Sequence, residues 1–275
     1  YAYYTNALNQ ATERRLAIEE QLHGALERDE FYLTYQPQVD ISSNRIISLE
    51  VLLRWDSRNL GSIPPDEFIP VAEHSGLIVP IGRFVLQQAM DFQAQLLNRH
   101  DKSLKMAINL SPRQFRDPHL VEYIRDTIEQ AKIPPQSLEL EITEGVLLIS
   151  HNYIEEALET LKSMNLSIAM DDFGTGYSSI AYLRKYPFDV VKIDKNFIRD
   201  ITADIRDQEL INAAIDMAHG LGLKVVAEGV ETAEQLEYLK GRGCDIAQGY
   251  LFSRPLQKDD LVKLLQQESV SGLSA

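Results

Sequence analysis

Leu104-Lys105-Met106-Ala107-Ile108-Asn109-Leu110 and Leu138-Glu139-Leu140-Glu141-Ile142, with a helical pattern at 118–131 between them, form the segment from which the fold can be read. Both apolar runs are short and bounded, as strands are. Side chains alternate faces along a strand. Met106 and Ile108 therefore share one face, opposite Lys105, Ala107 and Asn109. Leu138, Leu140 and Ile142 likewise oppose Glu139 and Glu141. A strand, a crossover helix and a second strand predict two parallel neighbours in one sheet.

The same unit recurs on both sides. Strands are predicted at 31–36, 46–54, 104–110, 138–142, 166–171, 190–194, 224–228 and 245–249, with further helices at 153–164, 209–221 and 233–240. Eight such strands predict an α/β fold, a closed (β/α)8 TIM-like barrel, and 275 residues suit one such domain. The connection from Gln36 to Ile46 is too short for a crossover helix, so the first strand should run antiparallel to the second. A turn centred on Ser43 would set Gln36 opposite Glu50. Ahead of the barrel, 6–30 has apolar residues at Leu8, Leu16, Ile18, Leu22 and Leu26, no proline and one glycine. This predicts an amphipathic linker helix. The organisation expected is a linker helix in 1–30, a barrel domain in 31–260 and a C-terminal helix or tail in 261–275.

Composition narrows the partners. The net charge of −14 argues against duplex nucleic acid, whose backbone needs clustered Lys and Arg. A small phosphate ligand fits if metal ions supply positive charge locally. No apolar run approaches the roughly 20 residues that cross a bilayer, and no basic-then-apolar leader opens the chain. The single cysteine, Cys244, rules out an intrachain disulfide and reads as a small buried apolar residue. A cytoplasmic domain is expected, in a parent protein that could itself be membrane-anchored.

Polar residues converge where a barrel enzyme keeps its active site. The mixed faces end, near their C-terminal edges, in Asn109, Glu141, Asp171 with Asp172, Lys192, Glu228 and Gln248, and Glu50 joins them from the second strand. Several buried carboxylates together need cations to neutralise them. Carboxylates with one amide are hard oxygen donors that suit Mg2+ or Mn2+; the six histidines show no ligand spacing. Adjacent Asp171 and Asp172 could serve two ions, which together hydrolyse phosphodiesters. Lys192 could hold the attacking water, and Glu228 could act as ligand or base. Lower on the same faces, Lys105, Glu139 and Lys224 predict a charged cluster inside the barrel.

Longer motifs carry a family resemblance. Glu50-Val51-Leu52-Leu53-Arg54-Trp55, Ile108-Asn109-Leu110-Ser111, Leu140-Glu141-Ile142-Thr143-Glu144, Asp171-Asp172-Phe173-Gly174-Thr175-Gly176-Tyr177-Ser178-Ser179, Val191-Lys192-Ile193-Asp194, Ala227-Glu228-Gly229-Val230-Glu231 and Gln248-Gly249-Tyr250-Leu251-Phe252-Ser253-Arg254-Pro255 occur in this order. Over 31–256 the chain resembles the EAL-type cyclic di-GMP phosphodiesterases. The resemblance implies a metal-dependent enzyme that opens cyclic di-GMP to linear pGpG with two ions, Mg2+ or Mn2+. It implies that Glu50, Asn109, Glu141 and Asp171 hold one ion and that Asp171, Asp172 and Glu228 hold the other. Lys192, Glu228 and Glu50 would be the catalytic residues, with Lys192 at the water and Glu228 as base. Gln36, Leu52, Arg54 and Gln248 would contact the dinucleotide. Glu144 would anchor the loop after Asp172, which in this family couples metal binding to dimerisation. A homodimer, and an upstream diguanylate cyclase or sensor domain in the parent protein, are the partners it suggests. Val51 departs from the alanine of the family's name, but it carries no ligand atom.

Three other readings compete. Some members of the family bind cyclic di-GMP without cutting it, as receptors or allosteric modules; they typically lack ligands or the base, whereas every position is filled here. A glycoside hydrolase using Glu141 and Glu228 would leave Asp171, Asp172 and Lys192 without a role. A scaffold would not need the acids to converge.

Overall fold

The structure, a computed structural model, describes residues 2–99, 104–147, 151–174 and 180–271. Its strands are β1 (Phe31–Asp40), β2 (Arg45–Ser57), β3 (Gly61–Ile63), β4 (Lys105–Leu110), β5 (Leu138–Thr143), β6 (Ser167–Phe173), β7 (Val190–Ile193), β8 (Lys224–Ala227) and β9 (Ile246–Gln248). Hydrogen bonds link them in the order β1-β9-β8-β7-β6-β5-β4-β2, and β1 pairs back onto β2 to close an eight-stranded barrel. The short β3 is an added hairpin arm on β2. Helices Leu120–Ala131, His151–Ser163, Ile205–Gly220 and Ala233–Gly241 fall within a few residues of their predicted bounds. Two more, Pro65–Ser75 and Ile78–Arg99, fill the long connection from β3 to β4.

The first strand is antiparallel to both of its neighbours, β2 and β9. Its start therefore lies at the barrel edge where the parallel strands end. The expected register is found: Gln36 pairs with Glu50. It arises in two steps. Asp40 pairs with Arg45, which centres the turn between Ser42 and Ser43, and a bulge beyond Val39 then shifts the register by one residue. Asp40 stabilises the turn by accepting bonds from the Ser42 hydroxyl and the Ser43 backbone and hydroxyl, each at 2.7 Å. β1 continues past its predicted end at Gln36, because Pro37 sits where the ladder to β9 has not yet begun; that ladder starts at Gln38.

Two apolar layers hold the barrel. The outer one packs strand faces such as Met106, Ile108, Leu140, Ile168 and Val225 under the helices. The inner one is a separate cluster of Ala169, Val190, Val226 and Ile246, with Ile47 against it. Ala169, Val190, Val226 and Ile246 lie on the strand faces that carry the polar edge residues Asp171, Lys192, Glu228 and Gln248. Each buried aliphatic side chain contributes about 1.5–3 kcal/mol. A Val226→Asp change would place an unpaired charge in that inner layer.

The helix predicted across 6–30 ends earlier, at Leu22, and turns follow to residue 29. Gly24 adopts φ +75, a conformation that stops a helix. Ile18 and Leu22 are buried, whereas Leu16 is 60% exposed, so the apolar residues do not form one stripe. The predicted internal charge cluster is also incomplete. Lys105 Nζ lies 3.2 Å from Glu139 Oε2 and 3.1 Å from Ser167 Oγ, as expected of an interior group. Lys224, however, is exposed. It is the first residue of β8, and its long side chain reaches water from the rim.

Candidate active site

The site sits at the C-terminal edge of the parallel strands, around one buried lysine. Lys192 on β7 is 1% exposed, and its Nζ lies 2.7 Å from Glu228 Oε1, 2.8 Å from Glu141 Oε2, 3.2 Å from Asp171 Oδ1 and 3.7 Å from Glu50 Oε1. Burial opposes the ammonium, but Asp171, Glu141, Glu228 and Glu50 together raise its pKa well above the ordinary lysine value. Four carboxylates thus share one cation, and Asp172 stands beside them. Negative charge is in surplus.

The carboxyl groups show that surplus. Burial pushes Glu228 up to about 8, against the pull of Lys192 and with the repulsion of Asp171 and Glu50. Glu141 is raised by burial and by Glu50 and Asp171. Asp172 is raised by burial, Asp171 and Asp194. Glu50 behaves oppositely: burial disfavours its charge, but Lys192, Gln248 and Asn109 outweigh it and hold its pKa low.

Asp171 and Asp172 reach the same site because β6 bulges. Met170 pairs with Val191 and Phe173 with Ile193, so the two aspartates together oppose Lys192. Asp172 takes φ +54, a conformation aspartate tolerates better than most residues. Strict alternation would have turned it to the outer face. Oxygens of Asp171, Asp172 and Glu228 all lie within 4.8 Å of one another.

An amide network fixes Glu50. Asn109 Nδ2 donates to Glu50 Oε1 at 2.9 Å, and Gln248 Nε2 donates to Glu50 Oε2 and, at 3.1 Å, to Gln36 Oε1. Gln38 Nε2 donates to Gln248 Oε1 at 2.9 Å, and Gln36 Nε2 donates to the Ser253 carbonyl at 3.2 Å. Gln36 and Gln248, expected at the substrate, both line the polar cleft beside the acids, and Gln248 also orients the Glu50 carboxylate. Gly249 follows Gln248 because any Cβ there would lie 2.0 Å from the Val230 carbonyl oxygen.

Two clefts meet at Asp171 and Asp172. One, of about 410 Å³, is polar and is lined by Gln36, Glu50, Glu228, Asp194, Gln248 and Tyr250. The other, of about 520 Å³, includes Leu52, Arg54, Asn109, Thr143, Ile78 and Ile81. Arg54 is partly buried and donates to the Leu53 carbonyl at 2.9 Å; burial lowers its pKa. Glu144 starts the short helix Glu144–Leu147, and its Oε1 is buried without a hydrogen-bond partner among the described residues. Of the loop after Asp172 that it was expected to anchor, residues 175–179 lie outside the described residues.

The sequence reading missed three residues. Gln38 was lost with the truncated β1, although it shares Gln36's parity. Asp194 is buried, caps the helix Lys195–Arg199 through the Asn196 backbone at 2.9 Å, and adds negative potential at Asp172. Tyr250 is half exposed in the cleft, with Arg254 4.3 Å from its ring centroid; nothing in its local pattern marks it.

These residues fit divalent cations. The donors are carboxylates and an amide, which hard ions prefer. Glu141 Oε1 is buried with no hydrogen-bond partner among the described residues, which is costly unless a cation completes it.

Comparison with known proteins agrees with the geometry. The EAL domain family model matches residues 19–255. The cyclic di-GMP phosphodiesterase NbdA of Pseudomonas aeruginosa is 40% identical over 265 residues, covering 96% of this chain and 34% of the relative. The bifunctional diguanylate cyclase/cyclic di-GMP phosphodiesterase MucR of the same organism is 37% identical over 262 residues, covering 95% and 38%. The chain thus spans about a third of the length of these relatives. Among solved structures, the PaMucR phosphodiesterase in complex with c-di-GMP superposes with a TM-score of 0.85 at 39% identity, covering 89% of this chain and 99% of that one. A barrel closed by a reversed first strand, an acidic edge built around Lys192 and a family match over most of its length place this chain in the EAL domain family.

Proposed function

We propose that this chain hydrolyses cyclic di-GMP to linear pGpG with two divalent cations, Mg2+ or Mn2+. The observation that carries the reading is the surplus of negative charge: four carboxylates within 4.0 Å of one buried ammonium, with Asp172 beside them. A catalytically silent receptor would not need this costly cluster to be intact.

Glu50, Asn109, Glu141 and Asp171 would hold one cation, and Asp171, Asp172 and Glu228 the other. Bound there, the cations supply positive charge to the phosphate oxygens and make a nearby water more acidic. Lys192 holds that water and offsets the mutual repulsion of the acidic side chains. Glu228, whose carboxyl is pushed up to about 8 by burial, takes the water's proton. The water oxygen then bonds to phosphorus, the bond to the 3′ oxygen breaks, and that oxygen leaves as a hydroxyl on taking a proton from solvent, while Glu228 returns its proton to solvent. Leu52 and Arg54, on the same face of β2 as Glu50, orient the dinucleotide. Gln36 and Gln248, lining the polar cleft, contact the dinucleotide, and Gln248 also orients Glu50.

The same reading makes the domain a cytoplasmic homodimer with a cyclase or sensor domain upstream. The upstream domain is supported by the relatives' greater length and by the two activities of MucR. No helix among the described residues is long and apolar enough to cross a membrane. Light scattering on the purified chain tests the dimer.

The deciding experiment incubates the chain with cyclic di-GMP and Mg2+ or Mn2+ and follows pGpG by chromatography, with Glu50→Ala and a chelator as controls. Product that is lost in both controls supports the enzyme. Tight binding without product makes the chain a receptor, and neither binding nor product overturns the choice of ligand.

A further inference from the structure

Because β1 is reversed, the N-terminal segment enters the barrel at the catalytic edge, and one buried carboxylate joins the two. Glu30, immediately before β1, is 4% exposed. Its Oε1 accepts from Arg28 Nε at 2.8 Å and from the Arg58 backbone at 3.3 Å, and its Oε2 accepts from Trp55 Nε1 at 3.0 Å. Its carbonyl accepts from the Asp56 backbone at 3.0 Å. Every partner except Arg28 lies at the C-terminal end of β2, or in the turn just past it.

Arg28 completes the link on the other side. Its guanidinium also donates to the carbonyls of Gln21 and His23, at the end of the helix Ala2–Leu22. Arg58 Nη2 returns a bond to the Arg28 carbonyl at 2.8 Å, and Asn59 Nδ2 bonds Gln21 Oε1 at 2.7 Å. The helix end, Arg28, Glu30 and the end of β2 therefore form one continuous polar chain. Trp55 is fully buried between Phe31 and Phe68, with centroids at 5.7 Å and 5.5 Å. Such packing leaves the indole little freedom to move independently of Glu30. Trp55 directly follows Arg54, and Leu52 and Glu50 precede that residue on the same strand.

We propose that Glu30 is a positioning residue for the hydrolysis of cyclic di-GMP, setting the placement of Arg54 and Leu52 through Trp55 and transmitting to them the position of the N-terminal helix. This rests on the function proposed above. Glu30 touches neither substrate nor cation; it acts through the strand. Burying a carboxylate there is costly, and a purely apolar contact would pack Trp55 as well. What the carboxylate adds is a directional, charge-assisted tie between helix and strand.

The test measures steady-state kinetics and cyclic di-GMP affinity by calorimetry on the whole chain, comparing Glu30→Gln and Arg28→Lys with the parent. Arg28→Lys keeps the charge beside Glu30 but loses the fork that grips both Glu30 and the helix carbonyls. The chain has one tryptophan, so the emission of Trp55 reports directly whether each variant keeps its buried packing. With emission unchanged, Glu30→Gln should raise KM about fivefold and Arg28→Lys about twofold, with kcat within about twofold of the parent in both. A folded Glu30→Gln with unchanged KM and affinity overturns the proposal. So does a loss of stability alone in Arg28→Lys. A parent chain that makes no pGpG at all would instead overturn the functional reading, and the two failures cannot be confused.

Discussion

The two ends of the barrel interior answer the same problem differently. At the catalytic edge, Lys192 is sealed among Glu50, Glu141, Asp171 and Glu228, leaving a deficit of positive charge. At the opposite edge, Glu139 has one cation, Lys105, and one hydroxyl, Ser167. Lys105 is 41% exposed, so that pair is balanced and watered. Both sets lie on the inner face of their strands. What separates a catalytic cluster from ordinary barrel lining is therefore the imbalance and its burial, since low dielectric makes an uncompensated carboxylate expensive.

That contrast can be broken experimentally, most strongly at the catalytic edge. Asp171→Asn should lower turnover by about 10³-fold or more, because both expected cation positions share this side chain. Glu228→Gln should cost about 10²–10⁴-fold in kcat, as loss of a base does. Product assays check both. Turnover within tenfold of the parent in Asp171→Asn would erase the distinction between the two edges.

Metal should stabilise the catalytic edge alone. Mn2+ at about a hundred times its dissociation constant should add about 2.7 kcal/mol, or roughly 5 °C in Tm, and Asp171→Asn should abolish the gain. Thermal unfolding with and without chelator measures this. An equal gain in the variant would place the ion elsewhere.

Outside the barrel wall at the same edge, Glu30 supplies a pH test. Its bond to Arg28, aided by Trp55 and opposed by burial, holds its pKa at about 2, against 4.5 for an ordinary glutamate. A lowered folded pKa gives stability that is fully present above about 4.5 and is lost as pH falls towards 2. Between pH 5 and pH 3 the parent should lose about 2 kcal/mol more than Glu30→Gln. Parallel stability curves for the two would show that Glu30 is not held as described.

The smallest effect belongs to the opposite edge. Glu139→Gln should cost about 1 kcal/mol of stability and change turnover less than about twofold. Denaturant melts together with the product assay check it. A large loss of turnover would mean that the two edges are coupled through the inner layer of Ala169, Val190, Val226 and Ile246.

Much of this was legible along the chain, for identifiable reasons. Alternation within β4, β5, β6 and β8 separated the outer apolar faces from the inner polar ones, because a pleated strand leaves a side chain no choice of face. The short link after Gln36 dictated the antiparallel pairing of β1 and β2. Other features were not local. The bulge beyond Val39 and the bulge at Asp171–Asp172 depend on what the partner strand offers, so period-two counting misses them. Lys224 shared Glu139's face on paper, but its place at the start of β8 let it escape to water. Leu16 was counted with the apolar stripe of Ile18 and Leu22, but it faces water while those two are buried.

By itself, then, the sequence determined the barrel, the reversed first strand and the identity of the acidic side chains, since these follow from periodicity, linker length and donor chemistry. Tertiary structure alone decided which of those acids share Lys192, that Gln36, Gln38 and Gln248 support Glu50, and that Glu30 ties the N-terminal helix to β2. Those are contacts between residues as much as 217 positions apart. Their energies depend on burial and on distances of a few ångströms, neither of which exists until the barrel has closed.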